Sequence, residues 1–210
     1  MLRWLGDGLS PARCAACRAL VPQRNAVFCT ACLVSVERCP VSDRSIAFGY
    51  YAGALADAVR RFKYDDRPDL ARSLGGLLRI VCRESRIAAD IVVPVPLHAR
   101  RLVDRGYNQS ALLARHVADE LGAPLSIGAL VRVIDTAPQA DLSREARRSN
   151  VAEAFRVGRS TLAGRAAVVV DDVSTTGATL MACSEALLAA GATRVTTVVV
   201  ARTAPTGTAR

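Results

Sequence analysis

The spacing of apolar residues along this chain changes near residue 50. From Ser10 to about Phe48 it keeps no steady period, and cysteine, proline and polar residues interrupt it. Beyond that point helical and strand periods alternate. Leu55, Val59 and Phe62 recur at helical spacing in 53–64, as do Leu70, Leu74, Leu77 and Leu78 in 70–81, so both stretches are predicted helices. Residues 90–95 form a short apolar strand that ends in prolines. A third helix is predicted over 109–121, opened by Asn108 as a cap and closed by Gly122. Ala166 to Val170 is apolar at every position, the pattern of a strand covered on both faces of a parallel sheet. A helix over 177–190, stopped by Gly191, and a second apolar strand over 195–201 complete a strand, loop, helix, strand unit. Such a crossover is right-handed, and the class it predicts is α/β.

Three segments stand outside this alternation. Met1 to Leu9 can form a short amphipathic packing arm through Leu2, Leu5 and Leu9. The polar stretch from Arg132 to Asn150 is long for a compact domain, which is the signature of a lid. Residues 206–210 read as a disordered tail. The expected organisation is a Cys-rich module over 1–48 and a larger domain over 49–205.

Composition narrows the setting. With 210 residues, 51% of them apolar, the chain can bury a core. No apolar run reaches the roughly 18 to 20 residues of a membrane span, and Asp7, Gly8 and Ser10 interrupt what a signal peptide would keep apolar. The expected location is the cytoplasm. The formal net charge of +9 comes almost wholly from arginine, because Lys63 is the only lysine. That charge favours anionic partners, either nucleic acid or phosphorylated metabolites.

Five of the seven cysteines lie between Cys14 and Cys39. Cys14 and Cys17, then Cys29 and Cys32, form two Cys-x-x-Cys pairs at the spacing of a tetrahedral zinc site, with an iron–sulfur cluster as the alternative. In a reducing compartment such clustering indicates metal ligands before disulfides. Zinc would staple a segment too small to hold a core of its own. Cys39 is a candidate substitute for one of the four, whereas Cys82 and Cys183 sit alone in helical patterns and read as core residues.

The strand 166–170 runs into Asp171 and Asp172, then into Ser174, Thr175, Thr176, Gly177 and Thr179. Hydroxyls and glycine at the carboxyl end of a strand, ahead of a helix N-terminus, make a phosphate cradle. Two carboxylates beside it conflict with a simple anion. They fit a ligand with phosphate at one end and neutral hydroxyl donors at the other, as in ribose 5-phosphate. A nucleoside triphosphatase would need a Gly-Lys-Ser/Thr loop, yet Lys63 lies in Phe-Lys-Tyr; a receiver domain would need a lysine on a later strand, and none follows.

The stretch Asp171 to Thr179 resembles the 5-phosphoribosyl-1-diphosphate (PRPP) motif of type I phosphoribosyltransferases. Pro94 to Arg101, Arg105 to Gln109, and the later Arg132, Thr136, Gln139, Leu142, Ser143, Arg147 and Asn150, with the cysteine-rich start, together resemble the ComF/GntX family of late competence proteins. The resemblance implies a type I phosphoribosyltransferase fold and Mg2+-dependent transfer of a phosphoribosyl group to an unidentified acceptor. It implies Asp171 and Asp172 at the catalytic centre, with Val173, Ser174, Thr175, Thr176, Gly177, Ala178 and Thr179 completing the ribose-phosphate site. Val95, Pro96, Arg100 and Arg101 would hold diphosphate, and Thr136, Gln139, Arg147 and Asn150 would face the ligand from the lid. Residues 50–64 are the expected hood over the acceptor. His98 reads as a helix-start residue and His116 as structural. The alternative is a non-enzymatic competence accessory that senses a phosphoribosyl ligand and meets single-stranded DNA or a helicase, although no basic and aromatic alternation supports a base-stacking surface.

Overall fold

The computed structural model describes residues 12–21, 23, 25–42, 44–134, 154–158 and 161–204. The expected arm over 1–9, the four lid residues Thr136, Gln139, Arg147 and Asn150, and the tail over 206–210 lie outside the described residues.

Four parallel strands make the central sheet: β1 (Ser45–Tyr50), β2 (Ile91–Pro94), β5 (Ala166–Ser174) and β6 (Arg194–Arg202), in the order β1-β6-β5-β2. A two-stranded antiparallel ribbon of β3 (Leu130–Arg132) and β4 (Phe155–Val157) stands apart. The helices are α1 (Thr30–Leu33), α2 (Gly53–Tyr64), α3 (Leu70–Glu84), α4 (Ala99–Arg105), α5 (Gln109–Leu121) and α6 (Ala178–Ala189).

Each apolar strand serves two cores because successive side chains point to opposite faces. Val168 and Val170 of β5 join Leu74 and Leu78 of α3 and Leu113 and Val117 of α5 on one side. Ala167 and Val169 join Leu180, Cys183 and Leu187 of α6 with Phe155 of β4 on the other. Burial is complete enough for each such leucine or valine to contribute roughly 1.5–3 kcal/mol. The first core also takes in Cys14, Ala15, Val21 and Phe28, so the cysteine-bearing segment packs onto α2 and α3 rather than standing off from them. α3 and α5 are further clamped by Glu120, which accepts from Arg79 Nε at 2.8 Å and from Arg83 Nη2 at 2.8 Å.

Both sheet edges are partnered, which removes open edges for pairing with other chains. Residues 37–39 lie along β1, where Tyr50 N–H donates to Glu37 O at 2.9 Å and Cys39 N–H to Phe48 O at 3.2 Å. A Cβ at Gly49 would fall 2.6 Å from Glu37 O, so only glycine permits that approach. Along β2, Val92 N–H donates to Pro124 O and Ser126 N–H to Val92 O, both at 2.9 Å. No helix among the described residues is long and apolar enough to cross a membrane.

Candidate functional site

β5 outruns its neighbour β2. The last pair between them is Pro94 with Val170, while on the other side β5 stays paired with β6 through Ser174 and Arg202. Asp171 and Asp172 therefore lie at the step where the sheet narrows, with the start of α5 and the end of α2 beside them. Ser110 Oγ donates to Asp171 Oδ1 at 2.7 Å, and the N–H of Asp172 donates to the same oxygen at 2.9 Å. Lys63 Nζ, from the last turn of α2, is 2.9 Å from Asp172 Oδ1. Burial and the Asp172 charge push the Asp171 carboxyl up to about 7, against the opposing pull of the Ser110 hydroxyl and Lys63. Burial works against the Lys63 ammonium, but the Asp172 carboxylate outweighs it and its pKa is raised.

The hydroxyl-rich loop follows directly. Thr203 ties it down: its N–H donates to Ser174 O at 3.0 Å and its Oγ1 to Thr175 O at 2.7 Å. Gly177 takes φ +76°, a left-handed conformation that glycine adopts without a Cβ penalty, and turns the chain into α6. Gly177 at the cap of α6 offers no side chain, Thr176 Oγ1 accepts from Ala178 N–H at 3.4 Å, and Thr175 and Thr176 are exposed beside the helix start. A helix start of this kind favours an anion. Val173, Ser174, Gly177, Ala178 and Thr179 are all half-buried around the turn.

The loop expected to hold diphosphate connects β2 to α4. Val95 is buried and its N–H donates to Val170 O at 2.9 Å, next to the acidic pair. Asn108 fastens this loop to α5: its Nδ2 donates to Val95 O at 3.1 Å, and its Oδ1 accepts from Ser110 N–H at 3.0 Å and Ala111 N–H at 3.4 Å. Pro96 and Arg101 are half-buried and Arg100 is exposed, the two arginines opening α4. His98 is the α4 cap, its Nδ1 accepting from Arg100 N–H at 3.4 Å. His116 packs where α3 and α5 cross, against Gly75. Burial lowers its pKa.

Among the described residues, Cys14, Cys17, Cys29 and Cys32 bring their sulfurs within 4.8 Å of one another. Cys17 Sγ and Cys29 Sγ are 3.6 Å apart. Four sulfurs at the usual Zn–S distance of about 2.3 Å sit ~3.8 Å from one another in a tetrahedron, so this group fits a metal such as zinc. Burial raises the Cys14 thiol, but backbone N–H groups of Cys17, Cys29 and Ala16 outweigh it and lower it to about 6, which favours the thiolate a metal needs. The first pair sits in a tight turn, with Arg18 at φ +69° and Cys14 N–H donating to Ala19 O at 2.8 Å. Cys39 is not part of the group. It is buried in the opposite core beside β1, so the substitution of a ligand by Cys39 does not occur in this arrangement. Cys82 and Cys183 are buried within α3 and α6.

Three residues of the site escape a reading of local motifs. Lys63 and Ser110 reach the acidic pair from distant helices. Arg61, also on α2, is buried and donates through Nη1 to the carbonyls of Ala15 at 2.6 Å, Ala16 at 3.3 Å and Cys14 at 3.4 Å. One signal was present in the sequence: the single lysine of an arginine-rich chain stands alone at position 63.

The family described as "Phosphoribosyl transferase domain" matches residues 107–209. Competence protein F of Haemophilus influenzae is 33% identical over 172 residues, covering 79% of this chain and 74% of that protein. DNA utilization protein YhgH of Escherichia coli K12 is 34% identical over 172 residues, covering 80% and 74%. Among solved structures, a glutamine PRPP amidotransferase from B. subtilis is 23% identical with a TM-score of 0.48, covering 75% of this chain and 31% of that one. This chain thus spans less than a third of that enzyme. The parallel sheet flanked by helices and the matched domain give the fold as that of a type I phosphoribosyltransferase with a cysteine-rich N-terminal segment. By its identity to the two competence and DNA-utilization proteins over most of their length and its own, the chain belongs to the ComF/GntX family.

Proposed function

We propose that the protein binds a 5-phosphoribosyl compound with Mg2+, PRPP before others, and transfers or otherwise acts on its phosphoribosyl group. The observation that carries this reading is the juxtaposition of Asp171 and Asp172 with the Thr175 to Gly177 turn and the start of α6. The turn and helix start would take the 5-phosphate, and the carboxylates would accept from the ribose 2- and 3-hydroxyls. Val95, Pro96, Arg100 and Arg101 would face diphosphate, the arginines through the paired N–H groups of their guanidinium. Mg2+ would be carried by ligand oxygens and the acidic pair, and would supply charge neutralisation for departing diphosphate. Thr136, Gln139, Arg147 and Asn150 would exclude water from the sugar. Residues 1–48 would serve as a zinc-stapled module beside a catalytic domain over 49–205, with Cys14, Cys17, Cys29 and Cys32 as ligands.

A binding-only role in DNA handling is the second reading, favoured by the names of the two relatives, which concern competence and DNA utilization. Calorimetry with PRPP and Mg2+, followed by diphosphate release in the presence of candidate acceptors, separates the two. Binding with turnover supports the enzyme, and binding without turnover across acceptors leaves the sensor. Asp171→Asn with Asp172→Asn is expected to abolish both while bound zinc persists. A wild type that binds neither PRPP nor ribose 5-phosphate ends both readings.

A further inference from the structure

We propose that the cleft between the cysteine segment, α3 and α5 is a second binding site, which takes a small organic phosphate with an apolar body. It shares no residue with the phosphoribosyl site and stands independently of that reading.

The cleft measures about 440 Å³, within the ~300–1,000 Å³ of small-molecule sites. α3 forms its floor, Asn25 and Val27 of the cysteine segment one side, and His116 of α5 the other. His116 lies roughly 9 Å along α5 from Ser110, which serves the acidic pair. Two successive glycines in α3 have different reasons to be there. A Cβ at Gly75 would meet His116 Cδ2 at 2.3 Å, so helix packing requires that glycine. A Cβ at Gly76 would find nothing within 4 Å, and Gly76 lines the cleft. Glycine inside a helix is destabilising relative to alanine, and what it supplies at Gly76 is room above the helix.

The polar lining is cationic. Arg72 and Arg79 stand two turns apart on one face of α3, about 10 Å along its axis, where their long side chains reach the two ends of one small molecule. Arg72 enters no ion pair among the described residues. Arg79 gives its Nε to Glu120 at 2.8 Å and shares that carboxylate with Arg83, so the terminal N–H groups of Arg79 and part of its charge are left to the cleft. Arg115 adds to the positive field at His116, which Asp119 opposes. A cleft with this field draws an anion, and the paired N–H groups of arginine match phosphate oxygens. The remaining lining sets the rest of the ligand. Val27, Leu77 and Ile80 offer apolar surface to its body, and Ile80 is 41% exposed for it to cover. Ser73 and Asn25 add neutral hydrogen-bonding groups. A molecule seated there ties the cysteine segment to both helices.

The test titrates the protein with phenyl phosphate and follows the imidazole NMR signals. The chain has two histidines, so His98→Gln assigns both. The His116 signal is expected to shift saturably, and inorganic phosphate to bind about tenfold more weakly because it lacks the body that meets Leu77 and Ile80. Arg72→Met should weaken phenyl phosphate about tenfold or more, as loss of a charged donor does, and Gly76→Leu should block it by filling the cleft. Should Gly76→Leu fail to fold, Arg72→Met decides, because Arg72 is exposed on α3. A His116 signal that phenyl phosphate leaves unmoved overturns the proposal, as does a response that Arg72→Met leaves intact. A shift of His98 alone places the phosphate at the start of α4 and also overturns it. Benzoate binding as tightly as phenyl phosphate refutes the phosphate class. Failure of ribose 5-phosphate to bind changes none of these outcomes.

Discussion

Arg61→Met is the sharpest test of how the cysteine segment is joined to the rest of the molecule. Arg61 is 8% exposed and its Nη1 donates to Ala15 O at 2.6 Å, with longer contacts to Cys14 O and Ala16 O. Its Nε lies 3.5 Å from Asp65 Oδ2. A hydrogen bond from a charged donor contributes about 1.5–3 kcal/mol, and removing the donor leaves the Ala15 carbonyl buried without it. Two features moderate the loss. Methionine keeps the apolar stem that packs along the core. Among the described residues Arg61 Nε and Nη2 have no hydrogen-bond partner, so the native state already bears some of their desolvation, and that cost disappears with the guanidinium. The balance is a destabilisation of about 2 kcal/mol. Guanidinium chloride unfolding of both proteins at saturating zinc measures it, since metal held in the native state would otherwise mask the difference. Amide exchange should place the lost protection in residues 12–21 and the last turn of α2. A loss within about 0.5 kcal/mol, the range of an ordinary surface substitution, refutes the idea that Arg61 is the clamp.

Other substitutions probe the remaining joints. The Asp171 carboxyl is held at about 7 in the folded chain by burial and the Asp172 charge, above the ~3.9 of an unfolded chain, so its contribution is full below that lower value and lost as pH rises through 7. Asp171→Asn should therefore gain stability over the wild type at pH 8 but not at pH 4, and a pH-independent difference in urea midpoints rejects this. Gly75→Ala would place a Cβ 2.3 Å from His116 Cδ2 and 2.8 Å from His116 Cβ, forcing α3 from α5 at about 1–3 kcal/mol, which His116→Ala should largely restore in the double variant; a neutral Gly75→Ala melt contradicts it. Cys17→Ser should lower bound zinc below one per chain by elemental analysis, whereas Cys39→Ser should leave it unchanged, because Cys39 lies outside the four-sulfur group.

What the sequence could reveal depended on how far each signal reaches along the chain. α2 over 53–64 and α5 over 109–121 were legible to the residue, because a 3.6-residue apolar period and, for α5, the Asn108 cap are local features. β5 extends past its last unbroken apolar residue: Asp171 and Ser174 still pair with β6, since ladder hydrogen bonds need a backbone and no particular side chain. β1 was not legible. Its six residues include Gly49, which weakens a strand pattern and is there for the approach of Glu37, a contact that exists only after the N-terminal segment folds back. The same β1 crosses position 48, where the change of period had placed a domain boundary. α4 carries Leu102 and Val103 on exposed positions, so no amphipathic stripe marked it.

The site divides along the same line. Asp171, Asp172 and the threonine and glycine turn are contiguous, so the proposal of a two-part ligand needs no knowledge of the fold. The charge that makes two adjacent carboxylates tolerable comes from another helix, and no spacing rule connects position 63 to position 172. Lys63 entered the sequence reading as the single lysine and as a residue in the wrong place for a triphosphatase. The parallel sheet supplies the connection: β5 runs on beyond β2, the start of α5 fills the step, and α2 closes over it with its one ammonium against Asp172. Variants at Lys63 are accordingly expected to release the last turn of α2 from Asp172, which amide exchange reads in residues 61–64, whereas variants in the Thr175 to Gly177 turn should leave that contact in place. If turn variants loosen α2 as much as lysine variants do, the division between the two halves of the site is wrong.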